Sequence, residues 1–101
     1  AAWWLRLHGW RILASRVRTA HGEIDLVARR GRVVAFVEVK RRNRAADLDD
    51  SIDYHRLSRV AAAAELAMPR YVRTGEDARI DAILLAPGRW PRHLPHIWQD
   101  S

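Results

Sequence analysis

The chain has 101 residues and no cysteine, so disulfides and thiolate metal ligands are excluded within it. Its 18 Lys and Arg against 12 Asp and Glu give a formal charge of +6, which favours polyanionic partners such as nucleic acid. The first apolar stretch is interrupted by Arg6, His8 and Gly9, which makes it a poor signal-peptide core, and no stretch is long enough for a membrane span. We therefore expect one small cytoplasmic domain.

The first half of the sequence predicts a short helix followed by three antiparallel strands. Residues 2–7 are typical of an amphipathic helix that ends at a glycine. Residues 11–18 alternate between apolar and basic side chains, which indicates a strand. Residues 24–28 and 33–39 are apolar and rich in β-branched side chains, so each is also predicted to be a strand. A tight turn at residues 29–32 joins these last two strands.

The second half predicts a helix and a further strand. An Asp or Ser at positions 50–51 can cap a helix that runs until Pro69 stops it. The alanine run 61–64 in that helix indicates close packing against a sheet. Residues 80–86 form an apolar strand that carries Asp81. We expect this carboxylate to pair with Arg79 or with a helix end rather than to contact a basic residue near a functional site. The proline-rich tail that follows is predicted to be irregular.

Two segments place charge inside apolar strands, residues 22–26 (GEIDL) and residues 37–40 (VEVK). Residues two apart on a strand share a face, so Glu38 and Lys40 project together. One hairpin register places Asp25 diagonal to Glu38, and a register longer by two residues places it directly opposite. Both registers bring Asp25, Glu38 and Lys40 together. A register shifted by one residue would instead put Asp25 on the opposite face of the sheet.

Carboxylates and an ammonium crowded at the end of a buried hairpin are costly unless they are paired or bound to a metal ion. Mg²⁺ prefers oxygen ligands and suits one or two carboxylates plus a substrate phosphate. Such an ion can activate water and polarise a phosphoryl oxygen, while Lys40 orients the water or stabilises developing charge. Lys40 is the only lysine in an otherwise arginine-based chain, which indicates that the position requires more than positive charge. We interpret the site as a phosphodiesterase site.

The motifs resemble those of the restriction-endonuclease-like superfamily, the PD-(D/E)xK nucleases, over nearly the whole chain. The matching segments are residues 1–5 (AAWWL), 9–13 (GWRIL), 22–26 (GEIDL), 36–40 (FVEVK) with Arg42, and 79–81 (RID). A lone Glu-x-Lys motif would be weak evidence for this superfamily. Its combination with the upstream GEIDL and downstream RID motifs is much more specific evidence. Within the superfamily the chain is most similar to the bacterial YraN-like endonuclease family, whose relatives include archaeal Holliday junction resolvases.

The resemblance implies an α/β fold with a mixed central sheet flanked by helices, in the order α-β-β-β-α-β. It implies Asp25 and Glu38 as catalytic metal ligands, Lys40 as the catalytic lysine and the Val39 carbonyl as a further ligand, with Mg²⁺ or Mn²⁺ as the cofactor. Ile24 stands where the superfamily's name has proline. Many relatives also contribute a glutamate from the first helix, and this sequence has none there. We therefore expect residues 1–101 to form a single nuclease-like domain with an incomplete first helix.

Basic side chains close to these motifs are the candidates for nucleic-acid contacts. The run that follows Lys40 is either a solvated loop or a phosphate-binding segment, and its position directly beyond the motif makes the two interpretations equally supported. Two arginines on the polar side of the long helix either flank a bound backbone or face water. The candidates are Arg41, Arg42, Arg44, Arg56 and Arg59.

The sequence leaves three interpretations open. The first is a metal-dependent endonuclease acting on DNA; the resolvase resemblance points to branched DNA, and a homodimer would supply two cuts at a symmetric junction. The second is a nucleic-acid-binding module of the same fold that has lost turnover. The third is a structural ion cluster without metal.

Overall fold

The computed structural model describes residues 1–41 and 54–97, which form two helices and five strands. Within those residues, no helix combines the length and the apolar character needed to cross a membrane. In chain order the elements are α1 (Ala2–Leu7), β1 (Arg11–Thr19), β2 (Gly22–Arg30), β3 (Val33–Arg41), α2 (Tyr54–Tyr71), β4 (Asp77–Leu85) and β5 (Arg92–Leu94).

The five strands form one mixed sheet in the order β1-β2-β3-β4-β5. β1, β2 and β3 are joined as antiparallel neighbours, and β5 is antiparallel to β4. β3 and β4 are parallel, with α2 between them in the chain, because a parallel pair needs a crossover connection. The predicted mixed sheet flanked by helices is therefore confirmed.

The sheet separates two apolar cores. On one face, α2 covers a core that includes Val34 and Phe36, both fully buried. Ala63 and Ala64 of α2 are also fully buried in this core, which confirms the packing predicted from the alanine run; side chains this small let a helix approach a sheet closely. On the other face, α1 contributes Leu5 to a second core.

β2 and β3 form a hairpin whose turn sets the position of Asp25. Arg30 pairs with Val33, so the turn consists of residues 31–32, and its glycine has a φ of 60°, a conformation that glycine adopts at little steric cost. This register is the longer of the two predicted alternatives. The paired part of the hairpin ends at Leu26 and Val37, which are the sequence neighbours of Asp25 on β2 and of Glu38 on β3.

β1 lies at one edge of the sheet and has an irregular register. Its pairing with β2 shifts between Ile12 and Ala14, and Arg16 has a φ of 52°, which is uncommon for a residue with a side chain. Arg11, Arg16 and Arg18 are all exposed along this strand. The edge of the sheet is therefore bent and positively charged.

Two predictions near the end of the chain were wrong. α2 does not stop at Pro69 but continues to Tyr71. Pro69 lacks a backbone N–H and so removes one hydrogen bond of the helix. It lies in the last turn, so only two helical residues follow it. The tail is not wholly irregular, because residues 92–94 form β5 and pair with β4. Pro91 and Pro95 flank this short edge strand and bound it without interrupting it.

Candidate active site

Asp25 lies where β2 and β3 part. Leu26 and Val37 form the last pair of the hairpin at this end, and beyond them the Asp25 side chain takes the place of a ladder bond. The backbone N–H of Val39 donates to Asp25 Oδ2 at 2.7 Å. This bond fixes the carboxylate of one strand against the backbone of the next.

The alternation of β2 side chains between the two faces of the sheet is interrupted at Asp25. Leu26 belongs to the core on the α1 face and Val27 to the core on the α2 face, as alternation requires. Ile24, two residues before Leu26, nevertheless packs on the α2 face. Asp25 therefore occupies a local irregularity, and it lines a cavity on each side of the sheet.

The first of these cavities, the α2-side cavity, has a volume of about 470 Å³ and contains both candidate carboxylates. Their presence in one cavity agrees with the predicted convergence of Asp25 and Glu38. The described residues that line it are Gly22, Glu23, Asp25, Glu38, Arg56, Arg59 and Val60. Acidic residues of the strands and basic residues of the helix thus line the same open space.

Glu38 is compensated by a basic residue from α2. Its side chain is only 5% exposed, and Arg56 Nε donates to Glu38 Oε1 at 2.5 Å. Arg56 itself is 54% exposed, so one end of the pair is buried and the other is open to solvent. A buried carboxylate requires such a partner, because its charge is costly to remove from water.

Lys40 is buried and lies two residues beyond Glu38 on β3. It is not among the described residues that line the α2-side cavity. The structure therefore places Asp25 and Glu38 in one open space and Lys40 beside it, beneath the surface.

A second cavity, the α1-side cavity, has a volume of about 560 Å³ and adjoins the first at Asp25 and Glu23. Two arginines line it from different strands, Arg16 of β1 and Arg41 of β3. The other described residues that line it are Ala1, Ala2, Ser15, Leu26 and Val39.

The predicted nucleic-acid contacts therefore divide into three groups. Arg56 and Arg59 line the α2-side cavity, while Arg41 lines the α1-side cavity. Arg42 and Arg44 lie outside the described residues. The described members lie on both sides of Asp25.

A third carboxylate, Asp81 on β4, lies fully buried on the α1 face. Arg79 donates to both of its oxygens at 2.9 and 3.0 Å, which confirms the predicted pairing. His93 Nε2 donates at 2.7 Å and the backbone N–H of His96 at 2.9 Å. Burial raises the pKa of the Asp81 carboxyl, but these hydrogen bonds outweigh it and hold the pKa below its ordinary value.

The donor set at Asp25 and Glu38 fits a hard divalent cation. Within residues 1–41 and 54–97, no three His, Cys, Asp or Glu side chains come together as a metal-binding group. Zinc sites use three or four protein ligands, whereas Mg²⁺ commonly uses one or two carboxylates with water and phosphate oxygens. Each carboxylate has about four acceptor positions, so the bonds from Val39 and Arg56 do not exhaust its capacity as a ligand.

The fold and the motifs of β2 and β3 together define the class of protein. A mixed sheet flanked by helices carries GEIDL on one strand and VEVK on the next, which gives an α/β domain with a restriction-endonuclease-like fold. The chain belongs to the family described as Uncharacterised protein family UPF0102, the YraN family, whose model matches residues 1–85.

Two curated relatives illustrate the similarity. A UPF0102 protein from Sphingopyxis alaskensis is 68% identical over 98% of this chain and 85% of its own length. A UPF0102 protein from Erythrobacter litoralis is 64% identical over the same shares of the two chains.

A solved structure shares the fold. Hjc from Archaeoglobus fulgidus, a Holliday junction resolvase, matches with a TM-score of 0.58 and 19% sequence identity. The match covers 90% of this chain and 66% of Hjc. At this identity the likeness establishes a nuclease-like fold.

Sequence reasoning missed two features of the site. The first is the contact of Arg56 with Glu38, for which the only sequence signal was the placement of Arg56 and Arg59 three residues apart on one helix face. The second is Arg16, whose backbone conformation and position in the α1-side cavity have no counterpart in the β1 sequence pattern.

Proposed function

We propose that this protein is a metal-dependent endonuclease that hydrolyses phosphodiester bonds in DNA. The observation that carries the proposal is the α2-side cavity, in which Asp25 and Glu38 face Arg56 and Arg59. Carboxylates suited to a cation and arginines suited to phosphate are the two partners that a phosphodiester and its metal require.

In this proposal Asp25, Glu38 and the Val39 carbonyl hold Mg²⁺ or Mn²⁺. When bound, the ion supplies an activated water and neutralises charge on the phosphate. The bond from the Val39 N–H holds Asp25 in place before substrate arrives, so little reorganisation is needed. Lys40, on the same strand as Glu38, orients the attacking water or stabilises the charge that develops on the phosphate.

The basic candidates position the substrate. Arg56 and Arg59 contact phosphates from the α2 side and Arg41 from the α1 side, with Arg42 and Arg44 extending the contact beyond β3. Arg56 also pairs with Glu38 in the absence of substrate, so a bound metal and phosphate would redistribute its bonds. Such contacts fix register on the nucleic acid but carry no sequence information.

We further propose branched DNA as the substrate, because a solved structure with this fold is of a Holliday junction resolvase. Residues 1–101 act as a single nuclease-like domain, and a homodimer would place two sites on a symmetric junction.

A second candidate function is a nucleic-acid-binding module that does not cleave. The observation that favours it is that, among residues 1–41 and 54–97, no third side chain completes a metal-binding group with Asp25 and Glu38, although Glu23 lines the same cavity. The two candidates make the same prediction for binding and opposite predictions for turnover.

The experiment incubates the full-length protein with branched, nicked, single-stranded and duplex DNA in Mg²⁺ or Mn²⁺. We expect metal-dependent cleavage by the wild type, and loss of cleavage with retained binding for Asp25→Ala and Lys40→Ala. A matched control, Asp77→Ala, changes an exposed acidic residue at the start of β4 and should cleave normally.

If the wild type cleaves none of these substrates with either metal, the enzymatic proposal fails and the binding module stands. If cleavage persists in both Asp25→Ala and Lys40→Ala, the assignment of the site is wrong.

A further inference from the structure

Two exposed tryptophans and a half-buried one form an aromatic surface that the proposed cleavage site does not use. Trp3 and Trp4 lie on α1, and Trp90 lies between β4 and β5; we call these three residues the tryptophan surface. Trp3 is 49% exposed and Trp90 is 77% exposed. Large aromatic side chains are normally well buried, so an exposed group of them points to a binding partner.

The rings of the tryptophan surface contact one another. The centroids of Trp4 and Trp90 are 6.2 Å apart with planes tilted by 39°, and those of Trp3 and Trp4 are 6.0 Å apart and nearly perpendicular. Trp4 also lies 4.1 Å from the ring of His8. The contact with Trp4 holds Trp90 in place while leaving most of its surface exposed, as a preformed stacking platform requires.

The chain segments that carry these rings contain only positive charge. Residues 1–22 contain four arginines, residues 82–97 contain two, and neither segment contains an Asp or Glu. Arg6 on α1 and Arg89, directly before Trp90, are both exposed. Exposed aromatic rings among arginines suit a partner with flat apolar groups on an anionic backbone.

The tryptophan surface also adjoins the proposed cleavage site. Ala1 and Ala2 line the α1-side cavity together with Asp25 and Arg41. Trp3 and Trp4 are the next two residues of the same helix, which rises about 1.5 Å per residue. The helix that carries two of the rings therefore begins at the α1-side cavity, so a strand bound in that cavity passes the start of this helix.

We propose that the tryptophan surface binds unpaired bases of a single-stranded DNA segment next to the cut. This inference deepens the proposed endonuclease function and rests on it for the position of the cut, but binding by the rings does not depend on turnover. Bases in a duplex have their faces covered by their neighbours, whereas unpaired bases can stack on tryptophan. The substrate class would then be DNA that is partly single-stranded at the cleavage site.

The test measures binding of a labelled oligothymidylate of about 20 nucleotides, and of a duplex of equal length, by fluorescence anisotropy in EDTA. For Trp90→Ala we expect about tenfold weaker binding of the single strand and less than about twofold weaker binding of the duplex. Trp90→Phe should retain most of the affinity, because it keeps an aromatic face. The matched control is Leu66→Ala, which removes an exposed apolar side chain from α2 and should leave both affinities unchanged.

A parallel variant, Trp3→Ala, tests the same surface from α1 and should also weaken single-strand binding selectively. Equal losses for single strand and duplex, or no loss in either tryptophan variant, would overturn the inference. A second copy of the chain is the rival occupant: if light scattering shows a wild-type dimer that Trp90→Ala dissociates, with single-strand affinity unchanged, the surface is a subunit contact instead. Because EDTA suppresses metal-dependent cleavage, failure of the endonuclease proposal leaves this result interpretable.

Discussion

Glu38 and Asp81 are buried carboxylates on neighbouring strands, one step apart in register, yet they lie in opposite kinds of environment. Glu38 is aligned with Ala82 of β4, and Asp81 directly precedes Ala82. Glu38 faces α2 and an open cavity, with Arg56 half exposed at its side. Asp81 faces the α1 side, and Arg79, His93 and His96 donate to both of its oxygens.

The difference separates a carboxylate available to a ligand from one used by the fold. The partners of Asp81 come from its own strand and from the tail, so its hydrogen bonds attach residues 93–96 to the sheet. Glu38 shares an open space with Asp25, so solvent, a metal ion or a phosphate can reach the pair. Burial alone therefore does not distinguish the two carboxylates; the open space beside Glu38 does, and it is the reason for proposing Glu38 as the functional one.

The largest expected effect is on activity, at Glu38. Glu38→Gln keeps the shape of the side chain but removes the charge that a cation requires. We expect cleavage to fall by about a hundredfold or more, with little change in the melting temperature. Cleavage assays and thermal unfolding on the same preparation check both parts, and unchanged cleavage would place Glu38 with Asp81 among structural residues.

The next effect is on stability, at Asp81. Asp81→Asn keeps the size of the side chain but leaves buried donors without a charged acceptor. We expect a loss of about 2–3 kcal/mol in the free energy of unfolding, with cleavage per folded molecule retained. Urea denaturation measures the loss. Normal stability combined with lost activity would reverse the assignments of the two carboxylates.

A smaller effect should appear with pH. Because the pKa of folded Asp81 lies below its ordinary value, the unfolded chain binds this proton first as the pH falls. The stabilisation is therefore fully present above the ordinary carboxyl pKa near 3.8 and is lost as the pH falls from there through the lower folded value. Urea midpoints of the wild type and of Asp81→Asn should converge below about pH 4; a constant difference would contradict the assigned cause.

The smallest effect concerns Arg56. Arg56→Ala removes a half-exposed partner of Glu38, and solvent in the cavity can replace part of the lost bond. We expect about 1 kcal/mol of destabilisation and about fivefold weaker DNA binding, with a shallower salt dependence. Arg70→Ala, an exposed arginine in the last turn of the same helix, is the matched control. If the two variants weaken DNA binding equally, the assignment of Arg56 as a DNA-contacting residue of the site is wrong.

Much of the sheet was predictable because its determinants are local. The β-branched run of β3 and the alternation in β1 identify strands without knowledge of the partner strand. The two-residue repeat of a β-strand also predicted that Glu38 and Lys40 lie on one side of β3. The ion pair of Asp81 with Arg79 was also predictable, because the two residues are neighbours on one face of β4.

The remaining features depend on residues far apart in the chain. The break in alternation at Ile24 arises where two strands separate, and no pattern within β2 marks it. The bond from Arg56 to Glu38 requires the position of α2 on the sheet, which hydrophobic periodicity does not specify. The additional donors to Asp81 come from His93 and His96, in a tail whose prolines had indicated irregular structure.

The edge strand β1 bears on how copies of this chain can associate. An exposed strand edge is a template for pairing with another chain, and β1 has a register shift together with three exposed arginines. Two molecules approaching along this edge would bring like charges together on a bent backbone that cannot form a continuous ladder. These features of β1 therefore disfavour edge-to-edge pairing of the sheets of two copies.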